Sequence, residues 1–138
     1  MTGALELNFA GRNALILHPS DSVRSQLAAR LAALGVEAAG HWPEAAEAAR
    51  TTGFLFVDID MGHDAQIPWE PGCAPIPMIG LIRSESPGRL SWALAQNFDA
   101  FLSQAAAGLV YSTLVVAAAK CAERQRHAER DAEAARRA

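Results

Sequence analysis

Phe54-Leu55-Phe56-Val57-Asp58-Ile59-Asp60-Met61 is the stretch that decides how this chain folds. Its first four residues are apolar in unbroken succession. A strand with one wet face alternates apolar and polar residues, so an unbroken apolar run predicts a strand buried on both faces. Asp58 and Asp60 then place two carboxylates at the end of that strand.

Working outward, the same pattern returns. Asn13-Ala14-Leu15-Ile16-Leu17-His18 reads as a first buried strand, stopped by Pro19. Ser20 is a good helix N-cap, Val23, Leu27, Leu31 and Leu34 follow at helical spacing, and Gly35 marks the stop. Residues 36–42 read as a second strand, weakened by Ala38, Ala39 and Gly40. Pro43 opens a short Ala-rich helix reaching Thr51. After the central strand, residues 60–75 form a polar stretch rich in Gly and Pro, with a distorted helix at most. Pro77-Met78-Ile79-Gly80-Leu81-Ile82 is a fourth strand. Ser86 and Pro87 start a helix that takes apolar bulk from Leu90, Trp92 and Leu94. Residues 98–102 are a fifth strand, and nothing breaks the helix from Leu109 onward. Strands alternating with helices predict an α/β fold with a parallel sheet covered on both faces. The expected organisation is an N-terminal arm over 1–12, one domain over 13–119 and a helical extension over 120–138.

The bulk numbers exclude several classes. The 138 residues suffice for one domain with a core. A net charge of -3 does not advertise nucleic acid as a partner of the whole domain. The apolar runs are far shorter than a membrane span, and the N-terminus lacks the pattern of a signal peptide. Cys73 and Cys121 fit no metal spacing and read as free thiols of a reducing compartment, so a cytoplasmic location is expected. There is no Gly-rich phosphate loop, Ser nucleophile elbow or catalytic Cys/His pair, so the expectation is no enzyme, no cofactor and no metal.

In a parallel α/β sheet the functional crevice lies beyond the carboxyl ends of the strands. Those ends hold His18 and Pro19, then Asp58, Asp60, Met61 and Gly62, then Ile82 and Arg83, then Leu102, Ser103, Gln104 and Ala105. Phe54 to Met61 resembles the segment of response-regulator receiver domains in which a buried strand delivers the phosphoacceptor aspartate. Asn97-Phe98-Asp99-Ala100-Phe101-Leu102-Ser103-Gln104-Ala105 resembles the receiver's fifth-strand segment. The resemblance covers residues 13–119 and implies a flavodoxin-like (CheY-like) fold: a five-stranded parallel sheet of order 2-1-3-4-5, helices on both faces and an extended C-terminal helix.

The resemblance makes Asp58 the phosphoacceptor equivalent and the rest of the pocket degenerate. A working receiver has an acidic pair at the end of strand one, where this chain has His18 and Pro19. Neutral imidazole is a poor Mg²⁺ ligand, and proline has no side-chain oxygen. The receiver's Thr or Ser position is Ile82, which donates no hydrogen bond. Its Lys position is Gln104, which carries no charge. Asp58 alone survives beside Asp60. Glutamine in the lysine position, together with Leu81-Ile82-Arg83-Ser84-Glu85-Ser86-Pro87-Gly88-Arg89-Leu90, resembles the pseudo-receiver domain of AmiR/NasT-type (ANTAR) transcription antitermination regulators. That implies a sensor kinase or ligand-sensing protein as partner, a coiled-coil dimer through the extended helix, and RNA bound by a C-terminal module that the 138 residues do not include.

A heptad seam for such a homodimer runs through Leu114, Ala118, Cys121, Gln125, Ala128, Ala132 and Ala135. The bland alternative is a long solvated helix whose first half covers the sheet. Asp58 with Asp60 reads as a retained structural aspartate rather than a metal pair. His18 reads as a hydrogen-bonding residue of its loop, His63 and Asp64 as solvated, and Trp69, between Pro68 and Pro71, as the tryptophan best placed for an exposed contact. Two readings compete with the pseudo-receiver: a receiver phosphorylated on Asp58, and a small α/β enzyme that has only His18 and Asp58 to work with.

Overall fold

The computed structural model describes residues 8–42, 46–50, 52–61, 67–83, 86–103 and 108–137. Expectations for Pro43, Thr51, Gly62, His63, Asp64, Gln104 and Ala105 lie outside these residues, as do residues 1–7 of the expected arm.

Five strands form one parallel sheet in the order β2-β1-β3-β4-β5. They are β1 (Asn13–Leu17), β2 (Glu37–His41), β3 (Phe54–Asp58), β4 (Met78–Ile82) and β5 (Ala100–Ser103). Around them run α1 (Asp21–Ala32), α2 (Ala46–Arg50), α3 (Pro87–Ala95) and α4 (Val110–Arg137). β3 is central and all five of its residues are buried, as its unbroken apolar run requires. β2 is an edge strand with mostly exposed residues, which is why alanine and glycine suffice there. Ser20 caps α1, its hydroxyl accepting from the Val23 N–H, and Gly35 takes the positive φ of 78° that ends the segment.

Alternation along the strands divides the core. Ala14, Ile16, Phe54, Phe56, Ile79, Leu81 and Leu102 meet α1 and α4 through Leu27, Leu31, Val110, Leu114 and Ala117. Leu15, Leu17, Leu55, Val57 and Met78 pack on the opposite side with Ala49 of α2 and residues 67–76. No helix occurs among the described residues between β3 and β4, so Ile67, Trp69, Ala74 and Ile76 cover the sheet there without one. Gly80 lets Phe101 and Ile59 close over β4, since a Cβ would meet their side chains at 2.8 and 2.9 Å.

Several sequence expectations are corrected. β5 starts at Ala100 and not at Phe98, because Phe98 and Asp99 complete the turn before it. Leu94 is 68% exposed and supplies no core; the buried residue of α3 is Ala93. Trp69 is half-buried against the second core layer, so it is no free contact. The arm is packed at its end: Phe9 is buried, its ring 5.4 Å from that of Phe54.

The dimer seam is corrected most. Leu114 and Cys121 are buried in this chain's own core, and Ala118 packs against it. Gln125 donates to the Pro75 carbonyl at 2.9 Å. Of the seven seam residues, Gln125, Ala128, Ala132 and Ala135 are exposed, because the first half of α4 spends its apolar stripe covering the sheet. Its packed part also runs past residue 119. Arg124 hydrogen-bonds Asp99 and the carbonyls of Gly72, Ala74 and Ile76, so the solvated stretch begins beyond it.

Candidate functional site

β1, β3 and β4 end side by side, in the registers Leu17↔Val57 and Asp58↔Leu81. This brings His18, Asp58 and Arg83 together at the carboxyl edge of the sheet. Asp58 is 0% exposed. A buried carboxylate needs compensation, and Arg83 supplies it. Arg83 Nε donates to Asp58 Oδ1 at 3.3 Å and Nη2 donates to Oδ2 at 2.9 Å. The Asp60 N–H also donates to Asp58 Oδ1 at 3.4 Å, and Asp60 Oδ2 lies 3.4 Å from Arg83 Nε. One guanidinium thus bridges both carboxylates.

His18 approaches Asp58 from β1. Its Nδ1 accepts the Ser20 N–H at 3.0 Å, so the neutral ring carries its hydrogen on Nε2. The expected loop hydrogen bond of His18 is therefore present. Nε2 lies 3.9 Å from Asp58 Oδ1, too far for a hydrogen bond, and has no hydrogen-bond partner among the described residues. Burial lowers the pKa of His18 from its ordinary value; Asp58 and Asp60 pull it up, while Arg83 and Arg24 push it down. Arg24 closes the outer side, donating to the His18 carbonyl and pairing with Asp21 of the first helical turn.

Pro19 and Ile82 sit half-buried beside this cluster and bring no polar side chain to it. Receiver chemistry implies a Mg²⁺ ion here, and the donor set does not fit one. Hard cations take several oxygen ligands. Both oxygens of Asp58 are engaged by Arg83, Asp60 is ion-paired, and the facing residues are His18 and Pro19. No group of three His, Cys, Asp or Glu suited to a metal occurs among the described residues.

Sequence reasoning placed Asp58, Asp60 and His18 at this edge and missed the part played by Arg83. The signal was available: with Asp58 opposite Leu81, the residue two further along β4's path on the same side is Arg83.

Comparison with known proteins agrees with this architecture. The family described as AmiR, N-terminal, matches residues 12–118. The chain is similar to the Rec1 domain of ShkA in complex with c-di-GMP, with 21% identity, a TM-score of 0.62, and coverage of 81% of this chain and 97% of that one. It is similar to the signal receiver domain of a modulated diguanylate cyclase from Desulfovibrio desulfuricans G20, with 18% identity, a TM-score of 0.61, and coverage of 80% and 95%. It is also similar to NtrX from Brucella abortus in complex with ATP, with 14% identity, a TM-score of 0.54, and coverage of 88% and 29%. At these identities the likeness is one of fold. No curated protein sequence matches the chain.

Proposed function

Because the chain belongs to the family of AmiR N-terminal domains, we propose that it is a non-catalytic pseudo-receiver, the signalling module of a cytoplasmic, two-component-like transcription antitermination regulator. The observation that carries this reading is the Arg83–Asp58 pair. A phosphoacceptor needs one free carboxylate oxygen to attack phosphorus and a cation to neutralise the approaching anion. Here both oxygens accept hydrogen bonds from one side chain of the same protein. Arg83 neutralises Asp58 from within the chain, where a receiver's metal would do so only on binding. The domain, residues 9–124 by packing, then acts by presenting surfaces to a sensor or ligand-binding partner. Any RNA contact belongs to a separate module.

Dimerisation in this reading falls to the exposed end of α4. Residues 126–137 are exposed on every side, and Ala128, Ala132 and Ala135 share one stripe. Light scattering of the full chain should show a dimer, and Ala128→Glu with Ala132→Glu should return a monomer. A full chain that stays monomeric at high concentration ends the dimer proposal. No helix among the described residues is long and apolar enough to cross a membrane.

The second reading is a receiver phosphorylated on Asp58. Its support is that the Arg83 side chain is 38% exposed at the rim, so it has room to swing away. Intact mass and tryptophan fluorescence with Mg²⁺ and beryllofluoride or a small phosphodonor decide between the two. The pseudo-receiver should give no adduct. A Mg²⁺-dependent adduct that disappears in Asp58→Ala establishes the receiver instead.

A further inference from the structure

Next to the Asp58 cluster, between α1, the ends of β4 and β5 and the first turn of α4, lies a cleft of about 180 Å³. Its wall divides by chemistry. Val23, Leu27 and Leu102 give it an apolar side; Gln26, Arg30 and Arg83 give it a polar one. Residues 23, 26, 27 and 30 recur at the three- and four-residue spacing that lines one face of a helix, so α1 turns a mixed face toward the cleft. No carboxylate lines it among the described residues, although the chain as a whole carries a net charge of -3.

We propose that this cleft binds a small organic anion, a carboxylate or phosphate on a short apolar body, held between Arg30 and Arg83. A guanidinium carries five N–H donors. Asp58 takes those of Arg83 on its Nε and Nη2 edge, and Nη1 has no hydrogen bond among the described residues. Arg30 is exposed and has no ion pair among the described residues. Paired guanidinium groups match an oxyanion in shape and charge. The apolar wall selects anions that carry hydrophobic surface. The volume lies below the roughly 300 Å³ at which pockets for drug-sized ligands begin, so the ligand is the size of benzoate and not of a nucleotide. The proposal goes beyond the pseudo-receiver reading, because α1 supplies four of the lining residues and Asp58 need not react.

The test is an amide-resolved NMR titration of the full chain with sodium benzoate at constant ionic strength, with benzamide as the neutral counterpart. Benzoate should give saturable shifts along residues 23–31 and at Leu102, with a Kd of about 1 mM, the range expected for so small a ligand. Benzamide should bind about tenfold more weakly, since it forfeits the charge-assisted hydrogen bonds. Arg30→Gln should weaken benzoate by about fivefold, the loss of one such contact. Asp58→Asn should tighten it, because Arg83 is released from its carboxylate. Absence of saturable shifts, shifts mapping elsewhere, equal binding of benzamide, or no change in Arg30→Gln overturns the proposal. An Asp58→Asn chain that binds no more tightly removes Arg83 from the site. None of these readouts involves beryllofluoride, so the cleft and the pseudo-receiver reading stand or fall separately.

Discussion

Two buried carboxylates sit at opposite ends of the sheet, and each is clamped by an arginine from later in the chain. At the amino end, Asp99 accepts from Arg124 Nε and Nη2 at 2.7 and 2.8 Å and from the Met78 N–H at 2.9 Å. Arg124 spends its remaining donors on three carbonyls of residues 72–76, and its side chain is 20% exposed. These contacts hold the Arg124 pKa above its ordinary value, with the Asp99 hydrogen bonds the largest cause. At the carboxyl end, Arg83 is held at 2.9 and 3.3 Å, is nearly twice as exposed, and shares its charge between Asp58 and Asp60. The same pair of residue types serves two ends. Where every donor is committed, the pair fastens a helix to a sheet. Where donors are left over and a histidine stands beside the carboxylate, the pair is more exposed and less fully committed.

Arg124→Ala puts that contrast to its hardest test. It strands the Asp99 charge and three carbonyls, and should cost about 3 kcal/mol in urea unfolding. Arg83→Ala should cost less, about 2 kcal/mol, because it strands the buried Asp58 charge but no carbonyls, and solvent at the rim can reach the place the guanidinium leaves. Equal costs would erase the distinction between the two ends. The next effect concerns pH. His18 binds its proton less readily folded than unfolded, so the unfolded chain takes up the extra proton as pH falls below about 6.5. Stability should therefore decline from that pH downward and stop declining once His18 titrates in the folded state too. His18→Gln should flatten the decline in a pH series of urea midpoints. The smallest effect is a shift in that titration: Arg83→Ala removes a cation facing His18, leaving Asp58 and Asp60 to draw its pKa upward against Arg24. The imidazole ring signals in NMR report it, and an unmoved His18 would show that the two do not share one field.

The fold was legible where burial alone dictates it. β1, β3 and β4 are short apolar runs closed by His18, Asp58 and Arg83, and their length and unbroken apolar character match strands buried on both faces. Asp58 was legible because a carboxylate that closes such a run lands at the crevice. The partners of the two carboxylates were not. Arg83 and Arg124 look like ordinary surface charges, and only strand register and helix packing say which acid each meets. Leu114 and Cys121 misled for the same reason. A heptad seam and a stripe that covers a sheet look alike along a helix, and only the neighbouring layer decides which is present.

The clamp at Arg124 also has a mechanical consequence. From there to Arg137, α4 continues as a rod about 20 Å long at 1.5 Å rise per residue. With its root fixed to β5 and to residues 72–76, the rod is a pointer. A tilt of about 5° at the root displaces its tip by nearly 2 Å, about a third of a helical turn. A change in the sheet too small to alter its packing would still be readable by whatever grips the far end.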